Sequence, residues 1–296
     1  MIKFNDKLGI IFISGAMMLV LTGCVKAVSE PVVSLPEENQ QGDESAEVKA
    51  EQSEPVVETQ SETTDSDVED TSLIDKVKNL VTEESDALPA TVSLDVAFAS
   101  QAPHGNWELP YQETCEEASL IIASKYFKKE SLNADIMDQE LLKLVAWEKT
   151  DLGVYTDTDV AEVLVIAQKY FSLNAEMTED VSVDRIKREL AAGNLIVAPF
   201  AGRELGNPNF TAPGPLYHML VITGYDRNEF ITNDVGTRKG EDYKYKYDVL
   251  ISALHDLPKY DSTGGIFRPY DDTTMTDEAK AQKMLTGVKR MIIING

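Results

Sequence analysis

The acidic segment between Val25 and Ala90 constrains the fold most, because it removes that part of the chain from any folded core. It contains 18 acidic residues, 4 basic residues and no aromatic residue. Such a composition cannot bury enough apolar surface to offset the entropy lost on ordering. We therefore predict a disordered acidic linker over residues 25–90 and one globular domain over residues 91–296.

The first 24 residues have the features of a lipoprotein signal peptide. Lys3 and Lys7 precede an apolar run, residues 9–21, that is too short to span a bilayer comfortably. Leu21 to Cys24 then resembles a bacterial lipobox, in which acyl chains such as palmitate anchor the cysteine to the membrane. We expect a lipid on Cys24 and a bacterial cell-membrane protein facing outside the cytoplasm. The alternative is an uncleaved anchor in which Cys24 is incidental.

Charge and missing motifs exclude several classes of function. The formal net charge is −24, and no part of the chain has the basic stripe that neutralises phosphates, so we expect no nucleic-acid partner. The sequence also lacks HExxH, paired CxxC, Gly-x-Ser-x-Gly and GxxxxGK[ST] patterns. We therefore expect no metal and no cofactor, and we expect a monomer.

Cys115 is the residue that points most directly to chemistry. The chain has 2 cysteines, so a lipid on Cys24 leaves Cys115 without an intramolecular disulfide partner. Thr114 and Glu117 have the spacing of a capping box, which predicts a helix with Cys115 as its first residue. A helix start stabilises a thiolate and can lower a cysteine pKa from about 8.5 to roughly 3.5–7.5. The alternative is a buried structural cysteine that packs as a small hydrophobe.

The order of elements in the globular part predicts an α+β domain. Alternating apolar residues predict a first strand over residues 92–98. Helices are predicted over 134–149, from a cap near Asp157 to 170, and over 183–192, followed by a buried strand over 195–200. A hairpin of residues 217–225 and 229–234 follows, then a strand at 243–247, a helix at 248–255 and a last strand over 289–294. Helices packed on an antiparallel sheet form such a domain.

A nucleophilic thiol needs a base, and the chain has three histidines, His104, His218 and His255. His218 begins a predicted strand, and Asp234 ends the strand that pairs with it. The two side chains should therefore lie at the same end of the sheet, where the carboxylate can fix the imidazole tautomer. Asn233 is the alternative orienting group, although its side chain should point to the opposite face.

Four segments together resemble the bacteriocin-processing cysteine peptidases, which cleave double-glycine leaders, and their stand-alone relatives. The segments are residues 100–103, 115–120, 218–226 and 233–238, in the same order along the chain. The resemblance implies a papain-like fold, with Cys115 as nucleophile, His218 as general base and acid, and Asp234 as the group that orients His218.

The resemblance also implies a glutamine amide in the oxyanion hole. Gln101 has the matching Ser-Gln context but lies farther from Cys115 in sequence than family members usually have it, and Gln112 is the nearer alternative. The chain also has Glu116 and Glu117 where many relatives have Gly-Pro. Two carboxylates near a thiolate oppose its ionisation.

These observations predict a membrane-anchored, extracytoplasmic cysteine peptidase that cleaves peptide bonds in a peptide or protein substrate. Two other classes compete with it. One is a catalytically inactive papain-like domain that binds a peptide or a cell-envelope ligand. The other is a structural lipoprotein whose Cys115 pairs with a cysteine of a partner.

Overall fold

The computed structural model of the protein describes residues 88–260 and 264–296. The predictions for the signal peptide, for lipid attachment at Cys24 and for nearly all of the acidic linker lie outside these residues. Among the described residues, no helix is both long enough and apolar enough to cross a membrane.

One antiparallel sheet organises the described residues. Its strands are β1 (Val92–Ser93), β2 (Asn174–Thr178), β3 (Leu195–Ala201), β4 (Tyr217–Tyr225), β5 (Glu229–Asn233), β6 (Tyr243–Lys246) and β7 (Met291–Asn295). Their order is β2-β7-β3-β4-β5-β6, and β1 pairs with β4. The strands β3 and β4 are buried along their whole length, because helices cover both faces of the sheet.

The first face of the sheet carries three helices that come early in the chain. They are α1 (Cys115–Lys128), α2 (Ala134–Asp151) and α3 (Val160–Lys169). Asn133 caps α2 by accepting a hydrogen bond from the Ile136 amide, and Asp159 and Glu162 form a capping box on α3. The apolar side chains of α1 and α3 pack with alternate residues of the central strands, such as Val197, Val221 and Ile292.

The second face is covered by α4 (Val183–Ala191), and α5 (Tyr247–Ala253) follows β6 directly. Here Ile186 and Leu250 pack with the other set of alternating strand residues, including Ile196, Leu220 and Ile293. A last helix, α6 (Asp277–Met284), is capped by Thr276 and precedes β7. The predicted α+β arrangement of helices on an antiparallel sheet is confirmed.

Several local predictions were wrong. The first strand is only two residues long: Val92 and Ser93 pair with β4, and after the bond from the Leu94 amide to the Thr223 carbonyl the chain leaves the sheet. The helix α3, predicted from a cap near Asp157, is capped two residues later by Asp159, and Asp157 itself has a left-handed backbone. The strand β2 and the helix α6 were not predicted. The segment of β2, NAEMT, has almost no β-branched residue, and its register against β7 comes from a strand more than 100 residues later.

Candidate active site

The Cys115 thiol lies at the first position of α1, as predicted, but it is buried. Its residue is 6% exposed, and the thiol donates a hydrogen bond to Glu116 Oε2 over 3.0 Å. Burial raises the pKa of Cys115 well above its usual value, and the charge and hydrogen bond of Glu116 raise it further. The backbone N–H of Met219 acts in the opposite direction. Burial and Glu116 therefore raise the thiol pKa more than the helix start lowers it.

The capping box predicted for α1 does not form. Thr114 occupies the N-cap position, but its hydroxyl donates to the Tyr111 carbonyl over 3.1 Å instead of capping the helix. Glu117 turns into the protein, where both of its carboxyl oxygens are buried without a hydrogen-bond partner among the described residues. The helix start is thus set by the short 3₁₀ turn Tyr111–Glu113 that precedes it.

The Glu116 carboxyl connects the thiol to a neighbouring loop. Its Oε2 accepts the hydrogen bond of the Cys115 thiol, and its Oε1 accepts a hydrogen bond from the Thr158 amide over 2.9 Å. Glu116 is 1% exposed. Burial raises its pKa to about 7.

Further carboxyl groups surround Glu116. Burial raises the pKa of Glu113 to about 9, that of Glu148 to about 8 and that of Asp157 to about 6. Burial and the facing Glu148 also raise the pKa of Glu117 well above its usual value. We call Glu113, Glu116, Glu117, Glu148 and Asp157 the acidic cluster.

His218 and Asp234 meet at one end of the sheet, as predicted. The ring Nε2 of His218 lies 2.8 Å from Asp234 Oδ1, and the two side chains are 2% and 0% exposed. Asp234 also accepts hydrogen bonds from Tyr245 Oη at 2.6 Å, Asn207 Nδ2 at 2.9 Å and the Gly236 amide at 3.1 Å. Burial alone would raise the pKa of Asp234, but His218, Tyr245 and Asn207 together hold it below its usual value.

Gly236 allows the turn after β5 to pass close to the His218 ring. A Cβ atom at this position would lie 2.7 Å from the ring carbon Cε1 of His218, which is closer than real Cβ contacts. The Phe210 ring packs edge-on against the imidazole with a centroid distance of 5.3 Å. The imidazole is therefore held by a hydrogen bond to its Nε2 and by packing on its sides.

The two candidate oxyanion amides are held differently. Gln101 is 3% exposed, and its Nε2 donates to the carbonyls of Tyr111 at 2.9 Å and Gln112 at 3.2 Å. Its Oε1 is buried without a partner among the described residues. The side chain of Gln112 is exposed and makes no hydrogen bond with the described residues. Both glutamines line the same cleft as Cys115.

The cleft has a volume of about 660 Å³ and contains both Cys115 and His218 in its wall. Its other lining residues are Gln101, Trp107, Gln112, Pro208, Asn209, Phe210, Thr211, Gly214, Pro215, Tyr217, Gly236, Thr237, Arg238 and Lys239. No hydrogen bond joins the Cys115 thiol to the His218 ring within the described part of the chain, since the thiol is bonded to Glu116 and the ring to Asp234.

The other candidates of the sequence analysis lie elsewhere. His104 is about half exposed and lies 3.5 Å from Asp135, and His255 bonds the Gly287 carbonyl through its Nδ1. Neither lines the cleft. Asn233 donates to the Val96 carbonyl, on the opposite side of the strand from His218, as the strand alternation predicted. No group of His, Cys, Asp and Glu side chains among the described residues has the arrangement of a metal site.

A comparison with protein families identifies the family of the chain. The model of the Peptidase_C39 like family matches residues 93–266, more than half of the 296-residue chain. The chain belongs to the Peptidase_C39 like family. The resemblance drawn from the four sequence segments is confirmed, and the domain is a cysteine peptidase-like domain of this family. The matched range contains Gln101, Cys115, His218 and Asp234.

Solved structures give more distant similarities to this Peptidase_C39 like chain. A C39-like peptidase from Bacillus anthracis is 16% identical with a TM-score of 0.41, over 70% of this chain and 98% of that one. Xylellain, a cysteine protease from Xylella fastidiosa, is 15% identical with a TM-score of 0.30, over 71% of this chain and 87% of that one. No curated protein sequence matches significantly. The assignment therefore rests on the family match.

Sequence reasoning missed the groups that support the predicted residues. Tyr245 and Asn207, which bind Asp234, lie 11 and 27 residues from it in sequence. No local pattern indicates such partners. Glu148 was also missed, since it sits in an otherwise ordinary amphipathic helix. The one available signal was its position on the apolar face of α2, among Leu141, Leu144 and Val145.

Proposed function

We propose that this protein is an extracytoplasmic, lipid-anchored cysteine peptidase that uses Cys115, His218 and Asp234. The observation that carries the proposal is the buried His218–Asp234 pair, which opens onto the same cleft as the Cys115 thiol. A carboxylate on one imidazole nitrogen fixes the tautomer and stabilises the imidazolium that forms when the ring accepts a proton. Because Nε2 of His218 faces Asp234, Nδ1 is the nitrogen left to serve the thiol.

The mechanism we propose has two stages. In the first, the Cys115 proton passes to His218 and the thiolate attacks the carbonyl carbon of the substrate, while His218 returns the proton to the leaving amine. In the second, His218 takes a proton from water, the hydroxide attacks the thioester carbon, and the C–S bond breaks to release the acid, after which His218 returns the proton to the sulfur. The negative oxygen formed in each stage is stabilised by the Cys115 amide and a glutamine side chain.

For the glutamine we propose Gln101. It is buried and fixed by the turn before Cys115, and fixed donors stabilise a developing charge better than mobile ones do. Its longer bond, 3.2 Å to the Gln112 carbonyl, is the one that would be exchanged for the oxyanion. Gln112 remains the alternative, because its exposed amide lines the same cleft.

The lining of the cleft supports a peptide substrate that carries acidic side chains. Arg238 and Lys239 are exposed at the wall, and the lining contains no Asp or Glu, although the chain as a whole has 51 acidic and 27 basic residues. Neither cation forms an ion pair with another of the described residues. Trp107 and Phe210 offer apolar contact area beside them.

Membrane attachment through Cys24 is supported by the sequence of the signal segment alone. Growth of producing cells with a labelled fatty acid tests it. We expect label in the wild-type protein and none in the Cys24→Ala variant, together with loss of the variant from the membrane fraction. A labelled Cys24→Ala protein would contradict the lipobox assignment.

A second function, binding of a peptide without cleavage, is favoured by the hydrogen bond between Cys115 and Glu116. In that bond the thiol donates its hydrogen bond to Glu116 instead of to His218, and the bond raises the thiol pKa. A peptide library incubated with wild-type protein and with the Cys115→Ala variant separates the two functions. We expect cleavage products from the wild type alone. Equal peptide binding by both proteins with no products from either would establish the binding function instead.

A further inference from the structure

Glu116 links the Cys115 thiol to the backbone before α3 through its two carboxyl oxygens. One oxygen accepts a hydrogen bond from the Cys115 thiol over 3.0 Å, and the other accepts one from the Thr158 amide over 2.9 Å. The Thr158 contact fixes the carboxyl, because Thr158 immediately precedes the capped start of α3. The thiol of Cys115 is therefore directed by a group that is itself held in place.

The two protonation states of Glu116 have opposite effects on the sulfur. An ionised carboxylate only accepts hydrogen bonds, so it binds the protonated thiol and repels the thiolate. A neutral carboxylic acid has one O–H group, which can donate to the thiolate while the other oxygen still accepts the Thr158 amide. The sulfur thus gains a donor when Glu116 gains a proton.

The surroundings of Glu116 favour its neutral form. The titratable groups that interact with the charge of Glu116 are all acidic. They come from the turn before α1, from α1 and α2, from the loop before α3 and from β4. These groups are Glu113, Cys115, Glu117, Glu148, Asp157 and Tyr217. No Lys or Arg side chain forms an ion pair with Glu116 among the described residues.

We propose that Glu116 is a positioning residue that sets the orientation and protonation of the Cys115 thiol. When ionised, it keeps the thiol protonated and turned away from His218. When neutral, it donates its O–H to the thiolate, and the thiol proton passes to the His218 ring, so that protons balance. This inference rests on the proposed role of Cys115 as nucleophile.

The proposal predicts an unusual pH dependence for a thiol. An isolated cysteine alkylates faster as pH rises, because the thiolate is the nucleophile. The pKa of Glu116 is about 7, so its carboxyl becomes neutral as pH falls through that value. The fraction of Cys115 present as thiolate should therefore be high near pH 6, and the alkylation rate should fall between pH 6 and pH 8.

The test is the rate of Cys115 alkylation by iodoacetamide between pH 5 and 9. The full chain carries Cys24→Ser, which leaves one thiol, and the adduct is quantified by mass spectrometry. Glu116→Gln keeps the volume, removes the charge and provides a permanent donor. Removing a charge at hydrogen-bond distance shifts a pKa by about 1–3, so we expect at least tenfold faster alkylation at pH 7.5.

Two further variants make the test specific. Glu117→Gln is the matched control, because Glu117 is the next residue of the same helix and is equally buried, makes no hydrogen bond to the sulfur and raises the thiol pKa less than Glu116 does. Glu116→Asp keeps the charge but is one CH₂ group shorter, so it cannot keep both contacts, and we expect it to lose the reactive component near pH 6. If Glu116→Gln does not fold, as judged by circular dichroism, the wild-type profile decides: an alkylation rate that only rises from pH 5 to pH 9 rejects the proposal.

The proposal is also rejected if Glu116→Gln alkylates like the wild type, or if Glu117→Gln accelerates the reaction equally. Alkylation needs no peptide cleavage. A shifted profile in a protein that cleaves no peptide would therefore refute the peptidase function and leave the role of Glu116 intact. An unshifted profile in an active peptidase would refute the role of Glu116 and leave the peptidase function intact.

Discussion

Carboxyl groups are buried behind both walls of the cleft, but their pKa values shift in opposite directions. On the β4 and β5 side, Asp234 is surrounded by donors, and its pKa is held below its usual value. On the α1 side, Glu116 and its neighbours face one another, and burial raises their pKa values. Burial alone therefore does not decide the charge of a carboxyl. The hydrogen-bond donors around it decide whether it is an ionised carboxylate or a protonated, neutral acid.

The largest expected effect comes from removing the charge of Asp234. Asp234→Asn keeps the side-chain volume but no longer fixes the His218 tautomer or stabilises the imidazolium. We expect kcat/KM for peptide cleavage to fall by about 10²–10⁴. The matched control is Asp242→Asn, the same change at an exposed aspartate between β5 and β6. An Asp234→Asn enzyme with full activity would show that the donors around Asp234 serve stability alone.

The next effect distinguishes the two glutamines of the cleft. If Gln101 stabilises the oxyanion, Gln101→Ala should lower kcat by about 10²–10³ with little change in KM, because the interaction is made in the transition state. Gln112→Ala should change kcat less than threefold. The opposite ranking in steady-state kinetics would assign the oxyanion hole to Gln112.

The acidic cluster should make the domain less stable as pH rises. The folded-state pKa values of Glu113, Glu116 and Glu148 are about 9, 7 and 8, all above those of an unfolded chain. Between about pH 4.5 and 9 the folded state therefore binds more protons, and the free energy of unfolding falls as pH rises through this window. One such group contributes about 3 kcal/mol over pH 5 to 8, so we expect a loss of at least about 3 kcal/mol, or at least roughly 10 °C in Tm.

Thermal unfolding followed by circular dichroism measures this loss. Glu117→Gln should reduce the slope between pH 5 and 8, because it removes one member of the cluster and gives Glu148 a donor. An exposed substitution such as Glu130→Gln serves as the control. A wild-type Tm that rises from pH 5 to pH 8 would show that the cluster is ionised in the folded state.

The smallest expected effect concerns substrate charge. Arg238→Glu should lower kcat/KM about tenfold for peptides with acidic side chains and raise it for matched peptides with lysine, since one attractive contact becomes repulsive. The difference should shrink at high salt, because both Arg238 and Lys239 are exposed. An unchanged preference for acidic peptides would show that Arg238 does not contribute to substrate specificity.

The parts of the molecule that could be predicted from sequence depend on local patterns. The hairpin of β4 and β5 follows from two apolar runs around a short turn, and that hairpin alone brings His218 to Asp234. The start of α1 at Cys115 was also predicted, although the capping box that motivated it does not form. The prediction was right because the turn before Cys115 and the apolar residues after it indicate the same boundary.

The environment of the thiol could not be predicted, because it depends on contacts that are distant in sequence. Thr158, which binds Glu116, lies 42 residues away, and Glu148 reaches Glu117 from another helix. A helix start lowers a thiol pKa only where the site stays polar or is solvated. Here α2 and α3 close over α1, and desolvation outweighs the helix start.

The most direct test of a Cys-His-Asp peptidase is covalent labelling by a peptidyl fluoromethyl ketone, followed by intact-mass and peptide-mapping mass spectrometry. This reagent requires substrate binding, a reactive thiol and a neighbouring imidazole together. The account predicts one adduct per chain, on Cys115, and its loss in Cys115→Ala and His218→Ala. Labelling of the His218→Ala protein at the wild-type rate, or no adduct on wild-type Cys115 at any pH between 5 and 9, would contradict it.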